Sequence, residues 1–206
     1  MDLLNLLVLA LVGYALGSLS PGVWLGWALL GRDIRAGGSG HSGGTNAARQ
    51  GGWRFGLLVA VLDVAKGALA AWLAARWGLS PWTPSVVTAA AVAGHCWPVF
   101  AGFRGGMGLS VLGGALLVLS PTAFAVGLGL AAAGTLLLRH SARGNLAAGV
   151  LIGPAVWLVT GSATVALAAG AAGLVIALRS RSDWRRVYRE LWLDRDPAAA
   201  RNAHSD

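Results

Sequence analysis

The sequence predicts an all-α fold, a polytopic membrane bundle of about seven transmembrane helices. Three observations predict it. The 206 residues are 56% hydrophobic and only 12% charged, where a soluble domain carries about twice that charged fraction. Mean hydropathy is +0.65, and the apolar residues fall in long uninterrupted runs rather than in an amphipathic pattern. The cations collect at the ends of those runs, so the net charge of +8 reads as topology rather than as a nucleic-acid surface.

A helix needs about 20 residues to cross the hydrocarbon. Leu3 to Leu30 supplies a first span with length to spare, interrupted by Gly17, Ser18, Ser20 and Pro21. It lacks a basic leader, so no cleavable signal peptide is expected. Gly56 to Gly78 and Pro84 to Phe100 give the second and third. Gly108 to Leu138 is too long for one span and short for two, and Pro121 after Ser120 marks a turn between two short helices. Gly144 to Thr160 and Ala163 to Leu178 complete the set.

Charge placement tests this count. Arg32, Arg35, Arg49 and Arg54 fall in the first loop, Arg104 in the third, Arg139 and Arg143 in the fifth, and a run of arginines after Leu178. With seven spans these segments share one side, whereas six or eight would split them. The positive-inside rule then places the N-terminus outside and the tail in the cytoplasm of a cell-membrane protein. Residues 1–178 form the expected bundle and 179–206 a cytoplasmic basic tail. The tail alternates arginines with acids and aromatics, which suits either an amphipathic surface helix or a solvated end. Beyond Pro197 disorder is expected. The single cysteine, Cys96, permits no intrachain disulfide.

Residues 37–49 read GGSGHSGGTNAAR, a polar, glycine-dense stretch between apolar runs. Its backbone N–H groups, with Ser39, Ser42, Thr45, Asn46 and Arg49, suit a phosphate; a bare flexible connector would need no such fixed polar groups. The preceding Asp33-Ile34-Arg35 reads as a tether. A second glycine stretch, Gly105-Gly106-Met107-Gly108, and the 140–145 segment face the same side, so three distant pieces converge on one interface. Asp63 and Lys66 lie on one helix face inside the second span. They form either a structural ion pair or a functional one. His95, at the end of the third span, either orients the next loop or acts as acid/base. No metal-ligand cluster or Ser-His-Asp pattern is visible, and neither metal nor cofactor is expected.

Taken together, these pieces resemble the bacterial acyl-phosphate:glycerol-3-phosphate acyltransferase family, the PlsY type. The family's GSGNxGATNxxR is matched by residues 38–49, with His41 for Asn and Gly44 for Ala. Gly17-Ser18 and Pro21 match its GSxPxG one residue out of register. Asp33-Ile34-Arg35 matches DIR, and Asp63 with Lys66-Gly67 matches DxxKG. Gly94-His95, Pro98, Phe100, Phe103 and Gly105-Gly106 match GHxxPxFxxFxGGKG. The chain departs where Met107 replaces the lysine of GGKG. The C-terminal HxxNIxRL aligns only with residues 180–187, losing His and Asn, and the 139–145 loop carries Ala or Asn where serines are expected.

The resemblance implies transfer of a fatty acyl group from acyl-phosphate to the 1-hydroxyl of glycerol 3-phosphate, giving lysophosphatidic acid. It implies substrate contacts from Gly38, Ser39, Gly40, Thr45, Asn46, Arg49, Gly105 and Gly106. The attacked mixed anhydride carries its own leaving group, so no protein nucleophile is needed. Arg104 or Arg143 is the expected substitute for the missing lysine, and His41 or His140 for the missing histidine. The alternative readings are a degenerate paralogue or a protein acting on another phosphorylated substrate.

Overall fold

A computed structural model describes residues 2–186, 188–190 and 193–194. Nine α-helices run in chain order among the described residues: α1 (Asp2–Ser18), α2 (Pro21–Leu30), α3 (Gly44–Gly51), α4 (Trp53–Trp77), α5 (Thr83–Cys96), α6 (Leu109–Leu119), α7 (Pro121–Leu138), α8 (Ser141–Thr160) and α9 (Ala163–Ser180). A short antiparallel pair, β1 (Tyr188–Glu190) with β2 (Leu193–Asp194), follows. Where the sequence left a surface helix or a solvated end open, the described part of the tail holds this short pair, and residues 197–206, where disorder is expected, lie outside the described ones.

Six described segments are long and apolar enough to cross a membrane. The remaining apolar helix, α6, has only 11 residues, about 16 Å of rise against a hydrocarbon core of about 30 Å. Its ends explain the shortfall. Gly108 enters at φ +89° after the second glycine stretch, and Ser120–Pro121 stops it. Ser120 Oγ accepts from Ala123 N–H at 3.2 Å to cap α7, with Pro121 in the first turn where its missing N–H costs nothing. The break inside Gly108–Leu138 thus falls where the sequence places it. The first span is also divided: α1 ends at Ser18 and α2 begins at Pro21, which leaves the Leu19 carbonyl without a helical partner. The basic tail begins inside α9, which runs to Ser180.

In lipid there is little hydrophobic gain in bringing helices together, so close van der Waals packing and polar contacts must hold the bundle. Backbones meet at glycine. Gly17 of α1 lies against the Ala91 backbone of α5, and Gly67 of α4 against Val111 of α6; a Cβ at either site would overlap a carbonyl. Cys96, Val92, Val111 and Ile176 fill the shared core of α5, α6 and α9. Leu3, Leu7, Leu57, Leu137 and Leu158 point outward, as a lipid-facing surface requires.

These contacts set the depth of the helices. His95 near the end of α5 meets Lys66 in the middle of α4, so the first half of α4 runs on past α5. The space beside that overhang is filled by α2, α3 and the glycine-rich stretch. Ile34, Ala47, Phe55 and Val59 form a second small core there.

Candidate functional site

The glycine-rich stretch is half loop and half helix: residues from Gly44 onward form α3, a correction to the expectation of one continuous loop. Asn46, on α3 and 1% exposed, organises the loop half. Its Nδ2 donates to the carbonyls of Ile34 at 2.8 Å and His41 at 2.9 Å, while its Oδ1 accepts from Ser39 N–H at 2.8 Å. Gly38, at φ +62°, passes so close to Asn46 Oδ1 that a side chain would collide with it. Asn46 is therefore committed to the loop's backbone.

The tether reads as expected. Asp33 caps a 3-10 turn by accepting from Arg35 N–H at 2.9 Å and grips the guanidinium through Oδ2 at 2.8 Å. The side-chain hydrogen bonds from Arg35 hold the Asp33 carboxyl below its ordinary range. Arg35 also donates to the carbonyls of Ala101 at 2.6 Å and Arg104 at 2.7 Å, locking the first glycine stretch to the second. Gly106 N–H donates to the His95 carbonyl at 3.1 Å, and Gly106 packs on the His95 ring with no room for a Cβ.

A buried triad stands behind the site. Lys66 lies 2.9 Å from Asp63 Oδ1 and 3.0 Å from His95 Nδ1, and its ammonium also donates to the Leu19 carbonyl left over between α1 and α2. An ammonium only donates, so His95 Nδ1 accepts and the ring proton sits on Nε2.

A second triad closes the site from the far end of the chain. His41 Nε2 lies 2.7 Å from Asp183 Oδ2, and Arg179 Nη2 lies 3.2 Å from His41 Nδ1. A guanidinium cannot accept, so Nδ1 is the acceptor and Nε2–H donates to Asp183. Arg179 Nε donates to the Gly106 carbonyl at 3.2 Å. Arg186 donates to the Ser39 carbonyl at 2.9 Å and pairs with Asp183 at 3.2 Å.

Between these elements lies a cavity of about 320 Å³. Ser39, His41, Thr45, Arg49, His95, Met107 and Asn145 line it, with the Gly43 and Gly44 backbone at the N-terminus of α3. The first N–H groups of a helix have no internal partner and favour an anion. A second cavity of about 260 Å³, lined by Leu112, Gly113, Leu116, Phe124, Gly127 and Ile152, adjoins it, and Leu109 and Ser110 line both. A polar chamber thus adjoins an apolar groove between α6, α7 and α8.

The family profile described as glycerol-3-phosphate acyltransferase matches residues 7–190. The chain belongs to that family. It is 41% identical over 198 residues to the glycerol-3-phosphate acyltransferase of Anaeromyxobacter dehalogenans, covering 91% of this chain and 96% of that one. The Enterococcus faecalis glycerol-3-phosphate acyltransferase is 42% identical over 121 residues, 59% of this chain and 56% of that protein. A crystal structure of PlsY, an integral membrane glycerol 3-phosphate acyltransferase, in its glycerol 3-phosphate form superposes with a TM-score of 0.75. The two are 30% identical, over 86% of this chain and 89% of that one. The lysophosphatidic acid form gives 0.73 at 27% identity.

Against that acyltransferase family, the expected site residues divide. Ser39, Thr45, Arg49 and His41 reach the polar chamber. Gly38, Gly40 and Asn46 shape the loop, and Gly105 and Gly106 pack on His95 and its neighbours. Arg104 is exposed and engages Arg35 through its carbonyl. Arg143 stacks over Trp184 at 5.1 Å, and His140 Nδ1 caps α8 by accepting from Arg143 N–H at 3.2 Å. Asp183 and Arg179 were missed, since nothing local in the sequence joins them to residues 138 and 142 positions away.

Proposed function

We propose that the chain transfers a fatty acyl group from acyl-phosphate to the 1-hydroxyl of glycerol 3-phosphate, releasing phosphate and lysophosphatidic acid. The observation that carries this reading is the junction at Leu109 and Ser110, where a chamber lined by Ser39, Thr45, Arg49 and the Gly43–Gly44 backbone, with the paired Asp183 carboxylate also on its wall, adjoins a groove of acyl-suited walls. Arg49, Ser39, Thr45 and the N-terminal amides of α3 hold the glycerol 3-phosphate headgroup. The groove between α6, α7 and α8 receives the acyl chain. The hydroxyl oxygen bonds to the acyl carbon, the acyl C–O bond to phosphate breaks, and the leaving phosphate takes the electron pair and the proton. Positioning and charge stabilisation supply the acceleration, with the His95 Nε2–H a further donor on the wall.

The multi-pass chain lies in the cell membrane with its N-terminus outside and the glycine stretches and tail in the cytoplasm, as the arginine distribution supports. Purified protein given acyl-phosphate and glycerol 3-phosphate should form lysophosphatidic acid and phosphate in equal amounts. Absence of product with both substrates present would refute the assignment.

A further inference from the structure

Two anionic substrates entering one chamber require two cationic positions, because a single guanidinium cannot offset both phosphates in a site of low dielectric. Arg49 lines the chamber at the α3 end. Three other cations of the region are paired with carboxylates. Lys66 is bound to Asp63, Arg35 to Asp33, and Arg186 to Asp183. Arg104 is exposed, and Arg143 lies on Trp184.

Arg179 instead touches His41, a residue of the chamber wall. Its guanidinium rests on the Gly106 carbonyl, the His41 ring and the Ser182 hydroxyl, three neutral acceptors. Among the described residues it makes no ion pair with a carboxylate. Asp183, the nearest acid through His41, is already paired with Arg186. Three of the five guanidinium N–H groups are taken, so the head is fixed while its charge stays uncompensated. It stands one residue behind the chamber wall, bonded to His41, which lines the chamber, and to the carbonyl of Gly106, whose neighbour Met107 lines it too. Met107 is also where the family pattern carries lysine.

Building on the acyltransfer reading, we propose that Arg179 is the second anion-binding group of the site, supplying from α9 the cation that Met107 withholds from the glycine stretch. The His41–Asp183 pair aims it: the Nε2–H to Asp183 fixes the tautomer that leaves Nδ1 open to Arg179. Arg179 faces the phosphate of the acyl donor, leaving Arg49 to glycerol 3-phosphate.

The test is a four-member cycle of wild type, Arg179→Gln, Met107→Lys and the double variant, assayed for lysophosphatidic acid formation with each substrate varied in turn. Arg179→Gln should lower kcat/KM for acyl-phosphate about 100-fold, with a much smaller change in KM for glycerol 3-phosphate. Met107→Lys should then restore about tenfold or more in the Arg179→Gln background, and gain far less in the wild-type background. Arg179→Lys, measured beside them with thermal unfolding of every variant, should stay within about tenfold of wild type and so separates lost charge from lost fold. An active wild type with Arg179→Gln within about twofold of it, or an equal Met107→Lys factor in both backgrounds, overturns the role of Arg179 and leaves the acyltransfer reading standing. A wild type that makes no lysophosphatidic acid overturns both.

Discussion

Two triads of an aspartate, a histidine and a cation sit within one helical bundle: Asp63–His95–Lys66 inside it, and Asp183–His41–Arg179 at its polar end. In the inner one the cation is consumed, since Lys66 binds the carboxylate, the imidazole and a stray carbonyl together. In the outer one the carboxylate is consumed instead, by His41 and Arg186, and the arginine keeps its charge. The inner set comes from two adjacent helices with Asp63 1% and Lys66 5% exposed. The outer set joins the first loop to the last helix. The difference teaches that a motif's residue types do not fix its role. Which member is neutralised decides whether a triad braces the fold or addresses a ligand.

The comparison breaks most readily at Lys66. Lys66→Met leaves Asp63 uncompensated in an apolar interior, which costs about 3–5 kcal/mol. A large fall in thermal unfolding temperature should follow, and Asp63→Asn added to Lys66→Met should recover part of it. If Lys66→Met unfolds no sooner than wild type, the inner triad does not brace the bundle.

Asp183→Ala should act the other way round. It releases His41 and Arg186, both partly exposed, so the stability loss should stay below about 2 kcal/mol. Activity should fall tenfold to a hundredfold as Arg179 loses its aim, on the order of what a small misplacement costs. A stability loss as large as that of Lys66→Met would erase the distinction between the two triads.

The sequence showed the Asp63–Lys66 part of the inner triad, because the two are one helical turn apart and a charge in an apolar run is conspicuous; it did not join His95 to them. The tether at Asp33 and Arg35 and the break at Ser120–Pro121 were legible for the same local reason. The outer triad was not. Arg179 at the end of α9 and Asp183 in the 3-10 turn that follows lie among other arginines, and positive-inside bookkeeping absorbs them as topology. Arg104 and Arg143 looked better placed because they are near Met107 and His140 in the chain, yet both are exposed and Arg143 lies over Trp184. Asn46 shows the converse case: its residue type suggested a ligand contact, while its burial spends every polar atom on the loop.

The apolar groove serves as a control for both triads. A side chain at Gly127 would meet Ile152 Cδ1 at 2.9 Å and Leu116 Cδ1 at 3.5 Å, so Gly127→Leu should fill the groove. Activity with long acyl-phosphates should drop several-fold more than with short ones, while KM for glycerol 3-phosphate should hold, in keeping with about 0.8 kcal/mol per methylene displaced. Equal losses at every chain length would place the acyl chain elsewhere.

The smallest effect concerns His140. Burial, followed by the Arg143 charge, holds its imidazole below the ordinary 6.5, and only the neutral ring can cap α8. The unfolded chain takes up the proton more readily, so the cap's contribution is full above about pH 6.5 and fades as pH falls through the folded-state value. At stake is about 1 kcal/mol. His140→Asn keeps an acceptor that does not titrate, and should flatten the fall in unfolding temperature between neutral and mildly acid pH.

The central claim is that Arg49 and the first turn of α3 grip glycerol 3-phosphate. Calorimetric titration of purified wild type with glycerol 3-phosphate, beside Arg49→Ala of matched thermal stability, measures it most directly. Saturable binding in the wild type and a loss of affinity of at least about tenfold in Arg49→Ala are predicted. Equal affinity in the two proteins would contradict it.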